Sequence, residues 1–178
     1  MPRTHRLGKV AVGGTFDEFH RGHRILLAKA FEVGEIVMIG LTSDEMLEKY
    51  PKDHAVDCYD SRRRQLLCFL SSQSVAERAR IIPLHDSYGT TLTNEGLEAL
   101  IVSEETRRVA GKINRLRRQL RLKPLKIFVI AMVEAEDERP ISSTRIRKGE
   151  INREGRLIAK HATSVPEKPS QTSHSQGQ

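Results

Sequence analysis

Lys9-Val-Ala-Val-Gly-Gly-Thr-Phe-Asp-Glu-Phe-His-Arg-Gly-His23 begins as a short apolar run and breaks at Gly13-Gly14. From Gly22 to Val33 it becomes a helical pattern, with Ile25, Leu26, Leu27, Ala28, Ala30 and Phe31 forming a broad apolar face. A buried strand, a glycine turn and a helix in this order predict the opening unit of a parallel α/β sheet. The turn also carries chemistry. Two glycines let backbone approach a phosphate closely, and Thr15 adds a hydroxyl donor. His20 and His23 can share one space at a helix N-terminus, where free N–H groups and the helix dipole favour anions. Imidazoles there can stabilise charge that develops on a phosphoryl group. An ordinary Gly-Gly turn and a partial metal site are the competing readings; zinc is the weaker, because no Cys or acidic partner stands nearby at ligand spacing.

The same alternation continues outward. Ile36–Leu41, Ala79–Leu84, Leu100–Val102 and Leu125–Val133 read as further strands. Helices are expected at 44–48 with Ser43 as N-cap, at 60–70, at 93–99, at 105–122 up to Pro124, and from Ser142. About five parallel strands with right-handed crossovers make one Rossmann-like, doubly wound domain over residues 1–163. Residues 164–178 are rich in Ser, Gln, Pro and His without apolar periodicity, and read as a disordered polar tail. In such sheets the ligand sits beyond the carboxyl ends of the strands, which directs attention to the residues after Val12, Leu41, Val102 and Val133.

Composition narrows the function classes. The chain has 178 residues, enough for one core. No Trp and 4% aromatics disfavour a stacking single-strand binder. The longest apolar run, Ile127–Val133, is far too short to span a membrane. The first six residues lack the apolar stretch of a signal peptide. Cys58 and Cys68 form no disulfide framework, so a cytoplasmic location is expected. The net charge of +7 and pI near 9.7 suit nucleic acid, an anionic membrane or a phosphorylated small molecule. That charge is concentrated. Residues 105–126 hold nine basic side chains and a single acid, Glu105, so the rest of the chain is close to neutral.

Ile141-Ser-Ser-Thr-Arg-Ile-Arg147 is a second anchor. Hydroxyls and free N–H groups opening a helix can receive an anion, although alone they read as a plain N-cap. Together, Gly13–Asp17, His20-Arg-Gly-His23 and Ile141–Arg147 resemble the two signatures of the HxGH nucleotidyltransferase superfamily. Within it, Pro83–Gly89, Val102-Ser-Glu-Glu-Thr106 and Ile113-Asn-Arg-Leu-Arg117 are similar to the archaeal and eukaryotic-type phosphopantetheine adenylyltransferases. The bacterial branch has arginines where Ser103 and Thr106 stand here.

That resemblance, covering residues 8 to about 150, implies adenylyl transfer from ATP to 4′-phosphopantetheine by direct in-line attack. It implies that His20, Lys49 and Arg147 are catalytic, with Lys52 the rival of Lys49. Gly14, Thr15, Phe16, His20, His23, Ser103, Glu104, Thr106, Asn114, Arg117, Ser142, Ser143, Thr144 and Arg147 are implied in ATP binding. Thr15, Lys49 and Arg62 are implied on the acceptor side. Asp17 is expected to brace the turn, Glu104 could instead complement a helix dipole, and Mg²⁺ is expected to arrive with ATP rather than on a protein site. No nucleic-acid or membrane partner is expected, and the sequence leaves the oligomeric state open. Another HxGH adenylyltransferase, such as one acting on nicotinamide mononucleotide, and a basic nucleic-acid-binding module are the alternatives.

Overall fold

Residues 6–158 are described by a computed structural model. The expected tail at 164–178 and the domain end at 163 lie outside the described residues. The chain folds as β1 (Leu7–Gly14), α1 (Arg21–Val33), β2 (Gly34–Thr42), α2 (Asp44–Lys49), α3 (Tyr59–Ser72), β3 (Ala79–Leu84), β4 (Ala99–Ser103), α4 (Arg107–Gln119), β5 (Lys126–Ile130) and α5 (Ser143–Arg147). The five strands form one parallel sheet in the order β3-β2-β1-β4-β5. The order reverses between β1 and β4, so the crevice above their carboxyl ends is the position the sheet offers a ligand.

Alternation along β1 divides the core between two layers. Val10 and Val12 face Leu27, Ala30 and Phe31 of α1 and Leu66 and Leu70 of α3. Ala11 faces Ala110 and Ile113 of α4 on the other side. Each buried leucine or phenylalanine contributes about 1.5–3 kcal/mol. Gly34, the C-cap of α1, has extended backbone, and no side chain fits there because a Cβ would run into Val10. At the opposite end of the chain Ala135, Ile141 and Ile151 make a small separate cluster that seats α5.

Three expected elements differ. Residues 93–99 form no helix: Asn94 accepts from Gly96 N through its side chain at 3.1 Å, an Asx turn, and Ala99 already belongs to β4. A 3-10 turn at Gly89–Leu92 precedes them. The fifth strand stops at Ile130, because Ala131–Val133 leave the sheet and line a cavity. The basic helix runs only over 107–119, with Arg121 beyond it in the left-handed region at φ 60°. Eight of the nine basic residues at 105–126 are exposed; Arg117 is buried.

Candidate active site

Above the switch point lie two cavities of about 310 Å³ each, at the lower end of ligand-site volumes. They share a wall made of Gly13, Gly14, Thr15, Lys52 and Thr106. One is mostly apolar, lined by Met38, Leu84, Tyr88, Val109 and Ile113. The other is the more polar of the two: His20, His23, Ser103, Ser143 and Thr144 line it beside apolar residues such as Leu26, Ile130 and Val133, and it is called the polar cavity below.

The histidine side of the polar cavity is built by local geometry. His20 caps α1: its Nδ1 accepts from Gly22 N at 3.1 Å, and His23 Nδ1 accepts from His20 N at 3.4 Å. These bonds form a reciprocal capping box made of two imidazoles. With both Nδ1 atoms accepting, each neutral ring carries its proton on Nε2 and has a donor to spare. The rings stack at 3.8 Å between centroids, and His23 also lies against Phe16 and Phe19. Burial, reinforced by Arg24, pushes the His20 pKa down to about 4; burial and then His20 itself push His23 down to about 3. Both rings are therefore neutral at pH 7. Gly22 leaves room for that ring: a Cβ there would sit 3.0 Å from His20 Cε1, close enough that the imidazole would have to give by a few tenths of an ångström.

Asp17 is the centre of the opposite side. It is 2% exposed, between Phe16 and Glu18, which both adopt left-handed backbone at φ 51° and 49°. Such a conformation costs a non-glycine residue about 1–2 kcal/mol. What holds it is a dense set of bonds. Arg147 donates Nε to Asp17 Oδ2 at 2.9 Å and Nη2 to Oδ1 at 2.6 Å. Arg147 Nη2 also donates to Asp57 Oδ1 at 2.9 Å, and Nη1 lies 3.4 Å from Glu18 Oε1. Asp57 N donates to Asp17 Oδ1, and Ser143 Oγ to the Asp17 carbonyl at 2.7 Å. Although burial opposes it, the bonds from Arg147 and Asp57 leave the Asp17 carboxyl below its ordinary pKa, and the bonds to Asp17 and then Asp57 raise that of Arg147.

Comparison with known proteins shows the family. A family model described as cytidylyltransferase-like matches residues 11–149. The phosphopantetheine adenylyltransferase of Methanothermobacter thermautotrophicus is 48% identical over 158 residues, 89% of this chain and 93% of that one. The phosphopantetheine adenylyltransferase of Methanosarcina barkeri is 51% identical over 152 residues, 84% of this chain and 92% of that one. The chain belongs to the phosphopantetheine adenylyltransferase family. A solved structure of a protein of unknown function from Archaeoglobus fulgidus is also similar, at 32% identity and TM-score 0.61, covering 68% of this chain and 88% of that one.

Of the residues the resemblance implied in this adenylyltransferase fold, Gly14, Thr15, Phe16, His20, His23, Ser103, Thr106, Ser142, Ser143 and Thr144 line the polar cavity together. Six others stand elsewhere. Lys49 lies in the last turn of α2 over the Tyr50 ring and lines neither cavity, whereas Lys52 lines both, because α2 ends at Lys49 and the loop carries Lys52 inward. Glu104 is exposed and lines neither cavity; Glu105 lines the polar one. Arg62 is fully buried and donates to the carbonyls of Thr15, Thr42 and Asp57 and to Asp44 Oδ1. It fixes the ends of β1 and β2 rather than facing a ligand. Asn114 exchanges two bonds with the Leu125 backbone, at 2.9 and 2.7 Å. Arg117, also fully buried, holds the carbonyls of Thr91, Asn94 and Lys123. Arg147 braces Asp17 instead of lining the cavity. His54 and Asp57 are site residues that sequence reasoning missed, since a lone histidine or aspartate in a polar loop has no local signature.

Proposed function

We propose that the protein transfers the adenylyl group of ATP to 4′-phosphopantetheine, giving dephospho-CoA and pyrophosphate in the cytosol. The shared wall between a polar and an apolar cavity carries the reading. The polar cavity suits a nucleoside triphosphate, and the apolar one suits the pantetheine arm, with the two reacting phosphates meeting at Thr15 and Lys52. The names of the related proteins support the same acceptor.

In this reading the acceptor phosphate attacks the α-phosphorus of ATP in line, and pyrophosphate leaves. A phosphate oxygen is already nucleophilic at neutral pH, so positioning and charge stabilisation carry the rate. The Nε2 proton of His20 is donated to the oxygen on which charge grows. His23, Ser143 and Thr144 hold the β- and γ-phosphates, and Ser103 and Thr106 lie towards adenosine. Lys52 bridges donor and acceptor phosphates. Mg²⁺ enters on the phosphates of ATP; the Asp17 oxygens, already taken by Arg147 and Asp57 N, are poor candidates to hold it.

A pyrophosphate-release assay with 4′-phosphopantetheine, nicotinamide mononucleotide and glycerol 3-phosphate tests the acceptor. Turnover is expected with 4′-phosphopantetheine alone. Turnover only with the mononucleotide would refute the acceptor while leaving the reaction class intact.

A further inference from the structure

Residues 50–58, between α2 and α3, carry Lys52 to the wall shared by the two cavities. Little holds that loop in place. Among the described residues, 51–56 make no backbone–backbone hydrogen bond, and Lys52 forms no ion pair. The polar contacts of 51–56 belong to His54. Its Nε2 lies 3.4 Å from Asp17 Oδ2, and its Nδ1 lies 3.3 Å from Thr144 Oγ1. Both ring nitrogens are thus engaged, one by the β1–α1 turn and one by α5. The ring is largely buried, with 17% of its side chain exposed, on the wall of the polar cavity. Three residues on, Asp57 repeats the attachment by donating its N–H to Asp17 and accepting from Arg147.

We propose that His54 is a positioning residue for Lys52: it pins the α2–α3 loop to Asp17 and Thr144 so that the ammonium reaches both reacting phosphates. The proposal rests on the bridging role given to Lys52 above. A free loop lets a long lysine side chain sample many positions, and a misplacement of about 1 Å at a reacting centre can cost 10²-fold. Asp17 is anchored independently by Arg147, so it presents His54 with a fixed acceptor. Thr144 is fixed by the helix that Ser142 caps, its side chain accepting from Arg145 N at 3.3 Å. His54 connects the two halves of the polar cavity to the residue shared with the apolar one.

A double-mutant cycle tests this, with steady-state kinetics on ATP and 4′-phosphopantetheine. Lys52→Ala is expected to lower kcat about 10²-fold. His54→Ala is expected to lower kcat about 10-fold and to change either KM less than about 2-fold. In the Lys52→Ala background it should change kcat less than about 2-fold, because the residue it positions is gone. His54→Gln, which can donate and accept, should recover most of the loss. Thermal melts accompany each variant, and His54→Asn runs the same cycle should the alanine variant melt early. A loss from His54→Ala that is equally large without Lys52 means that His54 acts on its own and overturns the proposal, as does a wild-type kcat in His54→Ala. An unimpaired Lys52→Ala removes the bridging role itself, and the positioning role with it.

Discussion

The two walls of the polar cavity do their work by different means. On the α1 side, His20 and His23 use one nitrogen each to cap the helix and keep the other for a ligand. On the α5 side, the hydroxyls of Ser143 and Thr144 line the cavity, but the motif's arginine is spent on Asp17, Asp57 and Glu18. The first wall is a local device that a few consecutive residues specify. The second is a tertiary one, in which a cation at position 147 holds in place a strained turn 130 residues earlier. A charged residue in a binding motif is therefore not by that fact a binding group.

The largest expected effect separates the two nitrogens of His20. His20→Asn keeps an acceptor near the position of Nδ1, so the cap survives and Tm stays within about 2 °C, but the Nε2 donor is lost. Pyrophosphate-release kinetics should show kcat lower by about 10²–10³, the loss typical of one transition-state donor. His20→Ala should lose the cap as well, about 1 kcal/mol in a urea melt. If both variants are equally stable, the cap does not matter and the local account of this wall fails.

On the other wall the signature is stability. Arg147→Met leaves the buried Asp17 without its guanidinium, with only the Asp57 N–H and His54 beside it, and should cost about 3 kcal/mol in urea denaturation. Adding Asp17→Asn should return part of it. A variant of wild-type stability with only a raised KM for ATP would instead put the arginine on the phosphates.

Acid separates the walls again. The folded-state pKa values of His20 and His23, about 4 and about 3, lie below the ordinary 6.5. From about pH 6.5 down to 4 the unfolded chain therefore binds more protons, and stability falls as pH falls. The slope is about 1.4 kcal/mol per pH unit for each histidine. Urea midpoints across this window should drop, and His20→Asn should flatten the slope. The smallest effect is Gly22→Ala, whose Cβ crowds His20 and should lower kcat by about 3-fold to 10-fold through ring displacement, with little change in KM.

Legibility in the sequence follows the same division. The β1 turn, α1 and the Ser142 cap could be read because their signals span a few residues. The parallel sheet was readable from apolar runs alternating with helices, and the crevice followed from the sheet. The end of β5 was not, because Ala131-Met-Val keeps an apolar composition after leaving the sheet. Nor were Arg62, Asn114 and Arg117: each is buried against carbonyls or backbone supplied by another segment, and only the fold decides that a basic or amide side chain turns inward. Lys52 was obscured from Lys49 by a helix end that three residues decide, and His54 by partners 37 and 90 positions away.

The bond from Arg21 N to the Arg153 carbonyl, 2.9 Å long, has a consequence for biosynthesis. The first helical N–H beside His20 finds its acceptor in a segment made more than a hundred residues later, and Arg24 pairs with Glu154 there as well. A ribosome-bound chain can form β1, α1 and β2 early, yet the polar cavity is unfinished until residues 143–154 emerge. Contacts of such sequence separation are slow to close, because the entropy of the intervening chain is lost before they form. The polar cavity should therefore be completed in a single step, when residues 143–154 dock beside His20, rather than gradually as the strands form.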